Sequence, residues 1–120
     1  MLPAANRLAD THDFRRVVRS GRRAGTSRLV VHLLVDEDSG DDRVLVGFTV
    51  SKGVGNSVVR NRVKRRLRHL SRETIESLGQ VAGGALVVVR AQPLAATANS
   101  AQLRSDLTSC LERVLRWSMH

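Results

Sequence analysis

Ser57-Val58-Val59-Arg60-Asn61-Arg62-Val63-Lys64-Arg65-Arg66-Leu67-Arg68-His69-Leu70-Ser71-Arg72-Glu73-Thr74-Ile75-Glu76-Ser77-Leu78 is the stretch around which the chain is organised. At about 100° per residue, Val59, Val63, Leu67, Leu70, Thr74 and Leu78 fall within one arc of roughly 100°, a stripe suited to burial. Arg62, Arg65, Arg68, His69 and Arg72 take the opposite side, with Arg60 and Lys64 on one shoulder and Arg66 on the other. No acidic residue occurs between Asp42 and Glu73, so the helix does not offset its own charge until its last turns. Like charges at i,i+3 and i,i+4 repel by roughly 0.2–0.5 kcal/mol per pair. A helix tolerates that repetition best when an external anion cancels it, and a phosphate backbone is such an anion.

The rest of the composition agrees. The net charge of +9 over 120 residues points to nucleic acid or another anionic surface as partner, not to an acidic small substrate. At this length, with 42% hydrophobic residues, the chain makes one domain, 1–120, with a real core. Lys52 and Lys64 are the only lysines. Guanidinium forks suit phosphate, but a base-composition bias would also enrich arginine, so this preference alone decides nothing. Cys110 is the only cysteine, which excludes an internal disulfide and a thiolate metal site. Its setting near Leu107, Leu111 and Val114 reads as core. No run approaches the ~20 apolar residues of a membrane span, and Met1–Asp10 lacks the apolar run of a signal peptide. The expectation is a cytoplasmic protein with no membrane partner.

Residues 1–10 read as a flexible arm. Thr11 is a plausible N-cap for a short helix to about Ser20, stopped by Gly21, with Phe14, Val17 and Val18 on one face and Arg15, Arg16 and Arg19 on the rest. Arg22–Ser27 has room for a short edge strand, and Leu29–Val35 is a strand broken only by His32. Asp36–Asp42 gathers acids around Ser39 and Gly40 as the turn of a hairpin, and Arg43–Ser51 is the returning strand. Val44, Val46, Phe48 and Val50 share its core face; Leu45, Gly47 and Thr49 face away and leave room for close approach. Lys52–Asn56 is a Gly-containing loop, and Asn56 or Ser57 caps the basic helix. Gly79 ends that helix, Gly84–Ala91 is a buried strand, and Asn99 or Ser100 caps a last helix to about Ser118. That helix turns Leu103, Leu107, Leu111, Val114 and Trp117 or Ser118 to the core. The order α-β-β-β-α-β-α predicts an α+β sandwich: one mixed sheet of about four strands with three helices. A right-handed crossover through the long helix is the default expectation.

No catalytic constellation is present. The acids cluster in one turn, the histidines His12, His32, His69 and His120 lack metal-ligand spacing, and no serine has an adjacent base motif. Catalytic and metal residues are therefore expected to be none.

Gly55-Asn56-Ser57-Val58-Val59-Arg60-Asn61-Arg62-Val63-Lys64-Arg65-Arg66-Leu67-Arg68 closely resembles the signature of the protein component of bacterial ribonuclease P. The likeness continues through Asp13-Phe14-Arg15-Arg16-Val17, Val50-Ser51-Lys52 and Val87-Val88-Val89-Arg90. The resemblance implies an α-β sandwich with a left-handed crossover, opposite to the default hand. It implies a non-catalytic subunit of an RNA-catalysed, Mg2+-dependent endonuclease that removes the 5′ leader of precursor tRNA, with Mg2+ held mainly by the RNA. The implied partners are the catalytic RNA subunit and precursor tRNA, not DNA. By position, Arg60, Asn61, Arg62, Lys64, Arg65, Arg66, Arg68 and Arg72 would meet the RNA subunit. Phe14, Arg15, Val18, His32 and Lys52 would border a leader cleft between the first helix and the sheet. The family often has aromatics where this chain has Val18 and His32, which implies a cleft leaning on charge more than on stacking. A structural or ribosome-associated RNA-binding protein without a processing role is the alternative, and a free-standing nuclease is disfavoured by the missing site.

Overall fold

The computed structural model describes residues 8, 10–35, 44–78 and 84–118, with side chains up to 73 in the long helix and up to 116 in the last. Helix α1 (Thr11–Ser20) leads into β1 (Arg22–Gly25), β2 (Leu29–Val35) and β3 (Val44–Val50). Helix α2 (Ser57–Leu78), β4 (Ala85–Ala91) and α3 (Ser100–Ser118) follow. Two 3-10 turns, Lys52–Val54 and Pro93–Thr97, close the C-terminal ends of β3 and β4.

The sheet runs β1-β2-β4-β3, with β1–β2 and β2–β4 antiparallel and β3–β4 parallel. This corrects one expectation: β2 and β3 do not form a hairpin, because β4 lies between them. The physical reason is two-sided burial. Every residue of β4 except Arg90 is buried, as a central strand requires, whereas β3 carries exposed Thr49 and suits an edge. The acidic stretch 36–42 and Gly79 lie outside the described residues.

Strand alternation sorts the core into two layers. Val31, Leu33, Val46, Val87 and Val89 face α2 and α3, meeting Val63, Leu67 and Leu70 from one helix and Leu103, Leu107, Cys110 and Val114 from the other. Val63, Leu67 and Leu103 are fully buried, so the apolar stripe of α2 seats on the sheet as its spacing predicts. On the other face, Leu86 and Val88 receive Val17 of α1 and Leu8. The Leu8 N–H donates to the Val46 carbonyl at 3.0 Å.

The caps follow local chemistry. Asp10, not Thr11, caps α1, its carboxylate accepting from the His12 N–H at 2.8 Å. An aspartate placed there also meets the positive helix end. Asn56 caps α2 through the Val59 N–H at 3.0 Å. Asn99 and Gln102 exchange side-chain to backbone bonds of 2.8 and 2.9 Å, a reciprocal capping box that starts α3.

Candidate nucleic-acid interfaces

Seating Val63 and Leu67 inward turns the other side of α2 to solvent. Asn61, Lys64, Arg65, Arg68 and His69 line a shallow hollow of about 490 Å3 along it. Arg72, also exposed, follows one turn beyond Arg68. Among the described residues no carboxylate pairs with Lys64, Arg65 or Arg68, since the ion pairs there join Arg16 to Asp13, Arg28 to Asp106 and Arg104 to Glu73. The first acid of α2, Glu73, thus ties the helix to Arg104 of α3 and not to Lys64, Arg65 or Arg68.

The structure does not bring all eight sequence-derived α2 residues onto this surface. Arg62 is half-buried and its Nη2 donates to the Ala96 carbonyl at 3.1 Å. Arg66 is also half-buried, its Nη1 donating to the Ala98 carbonyl at 2.7 Å. Arg62 stands about 100° from Val63 on the helix circumference, a flank rather than the far side, and the carbonyls of the Pro93–Thr97 region lie beside that flank. Arg60 is half-buried on the other shoulder. His69 joins the hollow although the resemblance names no role for it; its place four residues after Arg65 was the available signal.

The second surface lies on the opposite face of the sheet. Phe14, Arg15, Val18 and Arg19 of α1 and Thr49, Val50, Ser51, Arg90, Ala91 and Gln92 of the strand ends line a cleft of about 680 Å3. Buried Val17 fixes the helix to the sheet, which leaves Val18 40% exposed and Arg15 and Arg19 at the mouth. The Phe14 ring lies directly over Gly47, where any side chain would occupy the ring's space. Thr49 and Arg90 are register partners across β3 and β4, so one cation stands in the floor. Thr49 lies on the strand face that alternation leaves open, whereas Arg19 and Arg90 were not among the expected cleft residues; for Arg90 the expected β2–β3 hairpin hides the β3–β4 register that sets it beside Thr49.

Of the five cleft residues expected, Phe14, Arg15 and Val18 line the cleft. Lys52 is exposed and sits one residue past Ser51, at the rim. His32 does not line it: the side chain is 2% exposed, set between Arg23 and Val88 in the sheet register. Neither ring nitrogen has a hydrogen-bond partner among the described residues. Burial, reinforced by the charges of Arg90 and Arg23, pushes the imidazole pKa below its ordinary value and holds the ring neutral.

No three His, Cys, Asp or Glu side chains converge as a metal site among the described residues. No described helix is long and apolar enough to cross a membrane.

Fold and surfaces together define a small basic α+β protein with one cationic surface on each side of a single sheet. The family model for ribonuclease P matches residues 2–115. The ribonuclease P protein component of Nocardioides sp. is 56% identical over 114 residues, covering 95% of each chain. That of Streptomyces avermitilis is 50% identical over 121 residues, covering 96% of each. The RNase P protein of Staphylococcus aureus superposes with a TM-score of 0.73 at 26% identity, covering 94% of each chain. The Thermotoga maritima RNase P protein shares the fold, with a TM-score of 0.71 over 92% of this chain and 96% of its own, at 22% identity. The chain belongs to the ribonuclease P protein family.

Proposed function

We propose that this chain acts as the protein subunit of a cytoplasmic ribonuclease P, docking the catalytic RNA through α2 and the 5′ leader of precursor tRNA through the α1 cleft. The observation that carries this reading is the separation of two uncompensated cationic surfaces by the sheet: Lys64, Arg65 and Arg68 on one side, Arg15, Arg19 and Arg90 on the other. One polyanion needs one such surface. Two polyanions that must converge on a cleavage site need two.

Physically, the protein places positive charge beside two converging phosphate chains and lowers their mutual repulsion. Guanidinium groups on α2 are suited to bidentate phosphate contact. In the cleft, the Phe14 face offers a platform for a base of single-stranded RNA, and Arg15, Arg19 and Arg90 stand where its backbone would pass. The Mg2+ of the reaction would take its ligands mainly from the RNA. No side chain of this chain is assigned a proton or a nucleophile.

The test is precursor-tRNA cleavage at low Mg2+ with the cognate RNA alone, the protein alone, and both. Rescue only by the pair supports the reading. Activity from the protein alone, or no effect of adding it, contradicts it.

A further inference from the structure

The two cationic surfaces are connected through one short segment. The Pro93–Thr97 turn continues directly from Ala91 and Gln92, which line the cleft. At its far end, the Ala96 and Ala98 carbonyls receive Arg62 and Arg66 from α2 at 3.1 and 2.7 Å. Neither carbonyl accepts a backbone hydrogen bond among the turn and cap bonds of the described residues. Pro93 is exposed and Leu94 is 58% exposed, while Ala95 and Ala98 are the buried anchors. Pro93 rests near Gly53 of the Lys52–Val54 turn, which in turn continues from cleft residues Thr49, Val50 and Ser51. Both strands that floor the cleft therefore end in turns packed on each other, and α2 holds the second of these turns and its C-terminal end through two guanidinium groups.

We infer that Arg62 and Arg66 are positioning residues for the cleft, holding the Pro93–Thr97 turn so that Arg90, Ala91 and Gln92 present a fixed wall to single-stranded RNA. They are not phosphate ligands of the α2 surface. A guanidinium that donates to a carbonyl at 2.7 Å has committed part of its fork and its orientation. Arg65 and Arg68 point away from this contact and keep theirs. The arginine-rich helix is thereby divided by direction: one flank shapes the cleft and the outer face binds. This inference rests on the cleft being the leader site, and its test separates the two.

The experiment uses the reconstituted holoenzyme with Arg62→Met and Arg66→Met, singly and paired. Three readouts are taken: affinity for precursor tRNA relative to tRNA lacking a leader, the salt dependence of protein–RNA subunit binding, and the melting temperature. Loss of charge-assisted hydrogen bonds that order a wall lowers the precursor preference of the pair about tenfold. The salt slope stays at the wild-type value, because no phosphate contact is lost. Arg65→Met gives the converse, a slope reduced by about 0.7–0.9 with the precursor preference kept. Pro93→Gly leaves both guanidinium groups in place and loosens the turn; it reproduces the loss of preference even if the paired Met variant melts below the assay temperature. A reduced slope with preference retained in the Arg62 and Arg66 variants, or preference retained in Pro93→Gly, overturns the inference. A wild-type holoenzyme that binds precursor and leaderless tRNA equally overturns the cleft reading itself.

Discussion

Gly47→Ala tests whether the cleft is built as described, since the floor of β3 is bare where α1 crosses it. A methyl group at Gly47 would fall among the Cζ, Cε1 and Cε2 atoms of Phe14. Backbone on either side cannot yield easily. Gly47 pairs with Val88 in the centre of the parallel ladder, and Val17, one turn after Phe14, is 0% exposed. The ring must swing out instead. An off-rotamer ring costs about 0.5–1.5 kcal/mol, and overpacking costs about 1–3 kcal/mol when nothing can move. Phe14 is only half-buried, so the lower part of that range applies: about 1–2 kcal/mol. For a domain of this size that lowers the melting temperature by roughly 3–10 °C. In a Phe14→Ala background the space is open, and Gly47→Ala should cost less than about 0.5 kcal/mol or stabilise slightly. Denaturant unfolding of the four proteins in the cycle gives a coupling of about 1–2 kcal/mol. Equal costs of Gly47→Ala in both backgrounds would refute the placement of the ring over the strand.

Three further outcomes follow from the same geometry. Because the folded pKa of His32 lies below its unfolded value of 6.5, the unfolded state binds the proton more readily below that pH. Its contribution to stability is complete above about pH 6.5 and is lost as pH falls below it; the urea midpoint of the wild type should decline from pH 7 to pH 5 more steeply than that of His32→Leu. Phe14→Ala should reduce leader-dependent precursor binding, whereas His32→Ala should act mainly by lowering the melting temperature, since the ring is 2% exposed; a leader-specific loss for His32→Ala alone contradicts this. If ~6 phosphates are contacted, log affinity for the RNA subunit should fall with log salt at a slope of about −4 to −5, and Arg65→Ala with Arg68→Ala should lower its size by roughly 1.4–1.8 while stability stays within about 0.5 kcal/mol. A wild-type slope near −1 contradicts the footprint.

The features readable from the sequence are those set by local period. The burial of Val63, Leu67 and Leu70 and the exposure of Arg65 and Arg68 follow from 3.6 residues per turn, and the two faces of β3 follow from alternation. What escaped was set by neighbours distant in the chain. The acidic stretch between β2 and β3 is a good turn signal, but strand order answers to the two-sided burial of β4, which no local pattern ranks. Arg62 and Arg66 belong to the basic helix by sequence, yet their direction depends on carbonyls about 30 residues further on. Alternation places His32 on the α1 side of β2, and only the packing of that face decides whether it is open or closed. The signature was strong enough to name the family, but it treats as one row arginines that the fold sends in two directions, Arg65 and Arg68 to the outer hollow and Arg62 and Arg66 to the Ala96 and Ala98 carbonyls.

The most direct test of the two-surface account is site-specific cross-linking. Cys110 is fully buried, and burial pushes its thiol pKa up, so a single introduced cysteine can be labelled selectively. A photo-cross-linker at Arg68→Cys and another at Val18→Cys are compared in holoenzyme bound to precursor tRNA. The account predicts that position 68 attaches to the catalytic RNA and position 18 to the 5′ leader. Attachment of both positions to the same RNA segment, or of position 18 to the catalytic RNA alone, would contradict it.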